Sequence, residues 1–110
     1  MSEQVVLVYS TFPDVDTARI VAHQLISEHH AACANIIPGV ESIYRWQNQI
    51  EQSNETLVLF KTTTTAYPAF QEALTNLHPY DVPEIICVAI NQGLPTYLRW
   101  VEDNAKIPNL

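Results

Sequence analysis

Positive charge is scarce in this chain. Five lysines and arginines stand against twelve acidic residues, which gives a formal net charge of -7 at pH 7. Such a surface repels phosphate backbones and provides no basic stripe that could release counterions from nucleic acid. The composition therefore argues against a nucleic-acid partner. An acidic surface attracts cations, which gives weak support to a role with metal ions.

Long hydrophobic runs are missing as well. No apolar segment approaches the length that spans a bilayer, and no charged-then-apolar leader is present. The 110 residues are 47% hydrophobic, with only two glycines and no low-complexity tract, which is typical of one domain over residues 1–110. We therefore expect a single-domain cytoplasmic protein with no membrane partner.

Cysteine occurs only at Cys33 and Cys87, without a C-x-x-C or Cys/His ligand spacing. Both positions have apolar, strand-like surroundings, which favours buried free thiols over a disulfide or a zinc site. The sequence thus predicts no tightly bound metal cofactor.

The residues that are present follow two alternating periodicities. Continuous β-branched and apolar runs are typical of strands, and apolar residues at spacings of three and four are typical of amphipathic helices. Asp14 or Asp16 can cap the first helix. Thr64 or Thr65 can cap the second. The predicted elements are strand Gln4 to Phe12, helix Val15 to His30, strand Cys33 to Trp46, strand Ile50 to Thr62, a helix that starts after the Thr64 or Thr65 cap and ends at the His78-Pro79 stop, strand Glu84 to Asn91 and helix Leu94 to Ala105.

This order of elements is that of a split βαβ arrangement followed by a short C-terminal helix. Right-handed crossovers place the first two helices on one face of a four-stranded antiparallel sheet. We therefore predict an α+β, ferredoxin-like βαββαβ sandwich with a long hairpin between its second and third strands. RNA-binding modules of this kind carry a basic, glycine- and aromatic-rich strand motif, which is missing here.

The predicted hairpin is longer than the body that carries it. A strand from Cys33 to Trp46 extends roughly 46 Å, whereas a helix from Val15 to His30 covers only about 24 Å. The turn at 47–49 should therefore overhang, and Pro38-Gly39 should bend the first strand or form a bulge. The tip carries Ile43, Tyr44, Trp46 and Ile50, which predicts an oligomer. The alternative is that the bend folds the hairpin back onto its own core.

The segment from His78 to Glu84 combines two prolines with an imidazole, a phenol and two carboxylates. The prolines make it a stiff, extended link, so it is either a candidate site or a helix stop that leads into a strand. His78 with Asp81 or Glu84 would suit a divalent ion only weakly. As acid and base, His78, Tyr80 and Glu84 lack a nucleophile with an adjacent base.

Other candidate residues lie on the hairpin. Tyr44 and Trp46 should share one face of the strand while Arg45 faces the other, which favours a subunit contact over ligand stacking. Glu51 and Glu55 also share a face, and taken singly they are typical of solvated edge charges.

Two further features are basic side chains near predicted helix ends. Lys61 could clamp an anion beside the N-terminus of the second helix, or form an ion pair with Glu84 or Glu55. His29 and His30 are typical of a helix C-terminus, because consecutive helical residues point to different faces and do not form a metal site.

Several short motifs extend in one order along nearly the whole chain. They are STFPD from Ser10, AACANI from Ala31, PGV from Pro38, SIYRW from Ser42, Glu51 with Glu55, KT from Lys61, the segment His78 to Glu84, and YLRW from Tyr97. In this order and spacing, the chain resembles the CutA family of divalent-cation tolerance proteins.

The resemblance implies a ferredoxin-like subunit in a tight homotrimer that is similar in architecture to PII-type signalling proteins. It also implies a cleft between neighbouring subunits. The matching positions for that cleft are Cys33, Tyr44, Trp46, Glu51, Glu55, Lys61, His78, Tyr80 and Glu84.

Some family members bind copper through a cysteine in the first strand and a pair of histidines at the end of the second helix. Ser10 stands at the position of that cysteine, and Leu77-His78 stands in place of the histidine pair. His78 is then the one remaining candidate imidazole ligand. Any Cu(II) binding should be weaker and more carboxylate-like than at a thiolate site.

The resemblance therefore implies a divalent-cation tolerance protein that responds to metal ions and binds cations such as copper weakly at an inter-subunit cleft. The alternative is a PII-like signalling or scaffold trimer that takes a small anionic effector in the same cleft, with Lys61 and Arg45 as charge partners. An enzyme ranks last, because no nucleophile, cofactor motif or metal cage accompanies the candidate acid and base. We expect no enzymatic activity.

Overall fold

The fold is a two-layer α+β sandwich, described by a computed structural model over residues 4–107. Its elements are β1 (Val5–Phe12), α1 (Val15–Ser27), β2 (Cys33–Trp46), β3 (Gln49–Thr63), α2 (Tyr67–Leu77), β4 (Ile86–Ala89) and α3 (Pro95–Asn104). The strands pair in the order β2-β3-β1-β4, and each neighbouring pair is antiparallel. This confirms the predicted ferredoxin-like βαββαβ arrangement with a short C-terminal helix.

The first two helices cover one face of the sheet and enclose the main core. Val8 and Phe12 of β1 are fully buried there. Phe60 of β3 meets Phe70 of α2 edge to face, with ring centroids 5.1 Å apart. Such a pair contributes about 0.5–1.5 kcal/mol beyond the area that it buries. The apolar stripes of the helices thus select the face of the sheet that becomes the core.

The first helix begins where predicted but ends early. Asp14 caps it by accepting a hydrogen bond of 2.7 Å from the backbone N–H of Thr17, and this bond lowers the pKa of the Asp14 carboxyl. The helix ends at Ser27 instead of His30. His29 has a φ of 63°, and the N–H groups of His29 and His30 turn back to carbonyls of the last turn. This left-handed cap stops the helix before the histidines.

The predicted cap of α2 was wrong. Its N-cap is Ala66 rather than Thr64 or Thr65. The hydroxyl of Thr63 accepts the backbone N–H of Ala66 at 3.1 Å, so a side chain placed further back on β3 satisfies this free N–H.

The long hairpin bends but does not fold back. Its register shifts between Ile37 and Val40, and Gly39 has a φ of 77°, which confirms the predicted bulge at Pro38-Gly39. Every residue from 43 to 52 is exposed, and the molecule measures 47 × 27 × 22 Å. The apolar tip therefore stays free of its own core, as the overhang prediction requires.

The hairpin turn is tighter than predicted. Gln47 and Asn48 both have positive φ, at 50° and 66°, and Trp46 pairs with Gln49. Two left-handed residues form a two-residue turn whose twist matches that of the strands. The third residue of the predicted break, Gln49, therefore belongs to β3.

The last strand is shorter than predicted. It spans Ile86–Ala89 instead of Glu84 to Asn91, and it lies at an edge of the sheet, where it pairs only with β1. Cys87 is consequently exposed, so its predicted burial was wrong, while Cys33 is half-buried. Both thiols are free, as predicted. Within residues 4–107, no helix is long and apolar enough to cross a membrane.

The face of the sheet opposite α1 and α2 is largely open. The helix α3 covers only one end of it, where Val101 packs with Val5 and Ala32. Tyr9 is 36% exposed and Ile86 is 51% exposed. The strand register places these open-face side chains together: Leu7, Tyr9, Asn35, Ile37, Leu57, Leu59, Lys61, Ile86 and Val88.

Candidate functional site

The residues that the sequence singled out are divided by the strand register. Glu55 and Lys61 both belong to β3 but lie about 20 Å apart along it. One cavity beside Glu55 is lined by Tyr44, Trp46, Tyr80 and Glu84, and the His78 ring lies against that of Tyr80. Cys33 lies opposite Lys61, away from this cavity. Arg45 and Glu51 are exposed on the hairpin and do not line the cavity.

The cavity beside Glu55 has a volume of about 930 Å³. Hairpin residues form one wall, and the link at 79–84 forms the other. The lining includes four carboxylates and no lysine or arginine among the described residues. These acidic residues are Glu41, Glu55, Asp81 and Glu84. The stiff link therefore lines a cavity whose other wall belongs to the same chain.

His78 connects this link to the first strand. Its Nδ1 accepts the backbone N–H of Tyr80 at 3.2 Å, so in the neutral ring Nε2 carries the proton and donates it to the Thr11 carbonyl at 2.8 Å. The ring also stacks on Phe12 with centroids 4.4 Å apart. Burial lowers the His78 pKa, although the Thr11 bond and the Glu55 charge oppose that shift. Both ring nitrogens are thus occupied, and a metal ion would have to displace one of these partners.

Tyr80 forms the closest polar contact of the cavity. Its hydroxyl donates to Glu55 Oε2 at 2.7 Å. Burial raises the Tyr80 pKa, and the bond to Glu55 raises it further, so the phenol remains a neutral donor. The pair fixes the link against β3, because a hydrogen bond to an ionised group is stronger than a neutral one.

The hairpin contributes two aromatic side chains to the same cavity. Tyr44 is 43% exposed and Trp46 is 49% exposed, and both line the cavity while Arg45 does not. The Ser53 hydroxyl lies 3.5 Å from that of Tyr44, as a weak cross-strand contact.

No preformed metal cage is present in the described part of the chain. Within residues 4–107, no group of three or more His, Cys, Asp or Glu side chains is placed to hold a metal ion. Ser10 is fully buried in the helix-facing core, and its hydroxyl has no hydrogen-bond partner. Ser10, where the family resemblance would place a cysteine, is therefore a buried hydroxyl.

Lys61 occupies a different environment from the one predicted. It pairs with Leu7 and Cys33 on the open face, whereas α2 packs on the opposite face, so it does not flank the N-terminus of that helix. Neither Glu55 nor Glu84 pairs with it; the ion pairs among the described residues are Arg19 with Asp16 and His30 with Glu28. The Lys61 amine instead contacts Asn35 Oδ1 and lies 3.8 Å from the Cys33 sulfur. The predicted anion clamp and the predicted ion pair were therefore both wrong, because the strand register decides the face and the neighbours of Lys61.

Sequence reasoning missed the open apolar face. It attributed association to the hairpin tip alone and left Tyr9, Ile37 and Val88 without a role. A signal was available, because apolar residues occupy both alternating sets of positions in β1 and β3. Strands with that pattern are typical of sheets whose two faces are both covered.

Comparison with known proteins gives a consistent result. The family described as CutA1 divalent ion tolerance protein matches residues 6–104. A Thermus thermophilus divalent-cation tolerance protein CutA is 47% identical over 102 residues, covering 93% of this chain and 97% of that protein. The mouse protein CutA is 39% identical over 93 residues, 84% of this chain, and the chain spans only 52% of its length.

A solved structure supports the same assignment. The crystal structure of CutA1 from Oryza sativa superimposes with a TM-score of 0.92 at 35% sequence identity, covering 96% of each chain. Sequence motifs, strand order and overall superposition thus agree over nearly the full length. This chain belongs to the CutA family of divalent-ion tolerance proteins.

Proposed function

We propose that this protein acts without catalysis in the response to divalent metal ions, as a homotrimer that holds cations such as copper weakly at an acidic cleft between subunits. The observation that carries the proposal is the cavity beside Glu55, which is lined by four carboxylates and no lysine or arginine among the described residues. Carboxylates attract cations, and the chain's charge of -7 would be tripled in a trimer.

The trimer is supported by unsatisfied apolar surface. Ile37 is 41% exposed and Val88 is 45% exposed on the open face, and the exposed edge strand β4 lies beside them. Faces of this kind are rarely left in water, and a free edge invites another strand. A second or third copy, which offers the same hairpin and face, would cover both. The cavity would then lie at a boundary between subunits, since the exposed hairpin tip forms part of its wall.

The donor set suits weak binding. Carboxylate oxygens are hard ligands, whereas copper prefers imidazole or sulfur. His78 is the nearest imidazole to the cavity, but its nitrogens already serve Thr11 and Tyr80. We therefore assign the main contribution to Glu55, Asp81 and their neighbours, with His78 as a ligand only if it rotates away from its present partners.

Calorimetric titration with Cu(II) tests this assignment. Glu55→Gln and Asp81→Asn should each weaken binding several-fold, because each removes a charge from the cavity. Glu72→Gln, an exposed carboxylate on α2 outside the cavity, is the matched control and should leave the heats unchanged. His78→Gln should have little effect on copper affinity. Equal heats for wild type and both cavity variants would contradict the proposed site, and loss of binding in His78→Gln alone would transfer it to the imidazole.

A small anionic effector in the same cavity is the second hypothesis. The acidic lining counts against it, because Lys61 is remote from Glu55 and Arg45 lies outside the lining.

We also propose a cytoplasmic location. Cell fractionation should recover the protein with the cytoplasmic markers, and release with the periplasmic contents would contradict that location.

A further inference from the structure

One hydrogen bond joins the two walls of the acidic cavity. Glu55 belongs to β3 and pairs with Val40 just beyond the β-bulge, whereas Tyr80 belongs to the link at 79–84. The Tyr80 hydroxyl donates to Oε2 of Glu55 at 2.7 Å. The bond uses Oε2 alone, so the phenol holds one oxygen of the carboxylate and leaves the other, Oε1, for a different partner.

The Tyr80 side chain is itself held in place from the core. Its backbone N–H donates to Nδ1 of His78 at 3.2 Å, and the centroids of the two rings lie 4.8 Å apart. The His78 ring stacks in turn on Phe12, which is fully buried. Pro79 and Pro83 restrict the backbone of the link on both sides. A continuous series of contacts therefore extends from the core to the phenol.

The phenol holds Glu55 without neutralising it. Burial raises the Tyr80 pKa, and the hydrogen bond to Glu55 raises the pKa further, so the hydroxyl carries no charge at neutral pH. A lysine or arginine in its place would form an ion pair and cancel the charge of the carboxylate. Neither residue type lines the cavity within the described part of the chain. The Glu55 carboxylate is thus fixed by a partner that leaves its negative charge available.

A carboxylate that is already fixed is a better ligand than a mobile one. A freely rotating glutamate loses rotamer freedom when it becomes a ligand, and that loss lowers the affinity. In protein metal sites, carboxylate ligands are themselves hydrogen-bonded, and removal of the supporting partner weakens metal binding. The bond from Tyr80 places Glu55 in this condition.

We propose that Tyr80 is a positioning residue for divalent cations at the acidic cavity: its neutral hydroxyl fixes Oε2 of Glu55 and leaves Oε1 to contact the ion. This inference rests on the proposed cation-binding function. The link at 79–84 then contributes to the site in two ways. Asp81 and Glu84 line the cavity with charge, and Tyr80 orients the carboxylate on the opposite wall.

A double-mutant cycle, measured by calorimetric titration with Cu(II), tests this role. Tyr80→Phe removes only the hydroxyl and should weaken binding several-fold, by no more than Glu55→Gln does. Glu55→Gln removes the charge but keeps an oxygen that can accept the Tyr80 hydroxyl, so the link stays attached. Adding Tyr80→Phe to Glu55→Gln should therefore cause no further loss, because position 55 then has no charged ligand to be oriented.

Tyr67→Phe is the matched control. The Tyr67 hydroxyl also donates at 2.7 Å, to Oε1 of Gln71 on α2, and both residues lie outside the cavity. The control variant loses the same atom and a hydrogen bond of the same length, so it should bind Cu(II) as the wild type does. Urea unfolding of every variant checks that it is folded.

The outcomes separate this role from the site itself. Equal affinity of the wild type and Glu55→Gln for Cu(II) would contradict the proposed site and remove the role of Tyr80 with it. Weaker binding by Glu55→Gln, with Tyr80→Phe equal to or tighter than the wild type, would overturn the positioning role alone. An equal loss on removal of the Tyr80 hydroxyl in both backgrounds would also overturn it, because the hydroxyl would then only keep the link folded.

A crystal structure of the wild type with Cu(II) bound provides a measurement that needs no variant. The bond between Tyr80 and Glu55 should persist while Oε1 of Glu55 contacts the ion. A Glu55 side chain that binds the ion after turning away from Tyr80 would show competition instead of positioning, and would overturn the proposal.

Discussion

At the scale of single residues, two of the polar side chains that the sequence singled out, His78 and Tyr80, connect one part of the chain to another. His78 joins the link at 79–84 to β1 through Thr11, and Tyr80 joins the same link to β3 through Glu55. The sequence could identify this segment as unusual, because its prolines and polar residues are visible. It could not identify these partners, because Thr11 and Glu55 are brought there by strand pairing.

The His78 environment predicts a pH dependence of stability. Because the folded protein holds His78 with a pKa below its ordinary 6.5, the unfolded chain binds that proton more readily. Its contribution to stability is therefore complete above that value and is lost as the pH falls toward the lowered pKa. Urea unfolding at about pH 7.5 and about pH 5 should show this loss in the wild type.

Substitution isolates the contribution of that one ring. His78→Gln should lose less stability than the wild type over the same pH interval, although it starts lower because the Phe12 stack is gone. His23→Gln, on the exposed side of α1, is the matched control and should behave as the wild type does. An equal loss of stability in the wild type and His78→Gln would show that another group is responsible.

At the scale of elements, the hairpin bulge follows from local sequence, whereas the C-terminal end of α1 does not. Pro38-Gly39 forms its bulge, because a proline cannot donate to the ladder and glycine alone adopts positive φ at little cost. By contrast, α1 stops at Ser27 because His29 adopts a left-handed conformation. A histidine with a positive φ is uncommon, so the local sequence does not predict that the helix ends there.

Gly39 gives a test of the bulge. Its φ is 77°, and a Cβ added there would meet no atom within 4 Å, so the cost of substitution comes from the backbone alone. Gly39→Val should lower the unfolding free energy by about 1–2 kcal/mol. Gly39→Asn should cost less, because asparagine tolerates the left-handed region. Urea unfolding measures both, and an equal cost for the two variants would argue that the bulge rearranges when substituted.

At the scale of the whole molecule, the surface that the fold leaves uncovered is the open face of the sheet. The core formed with α1 and α2 accounts for one face, but apolar residues of β1, β2 and β4 remain exposed on the other. The sequence predicted association from the hairpin tip. The fold adds a second and larger reason for association, because the same molecule also exposes the open face and the free edge of β4.

Charge placed on the open face should separate the subunits. Ile86→Lys puts an ammonium on that face, where Ile86 is 51% exposed, and should shift the protein from the proposed trimer toward monomer in sedimentation analysis. Ile20→Lys is the matched control, because Ile20 is 69% exposed on α1, away from the open face. It should leave the mass unchanged. A wild type that sediments as a monomer at micromolar concentration would contradict the trimer itself.

The sequence by itself determined the order of elements, the ferredoxin-like arrangement, the overhanging hairpin and its bulge. These depend on local periodicity, proline and glycine geometry and strand length, which act within a few residues of each other. The tertiary structure alone decided that Glu55 meets Tyr80, that Lys61 meets Cys33 instead of a carboxylate, and that one apolar face is left open. Those contacts join residues distant in sequence, and a shift of one residue in strand register would have exchanged every one of them.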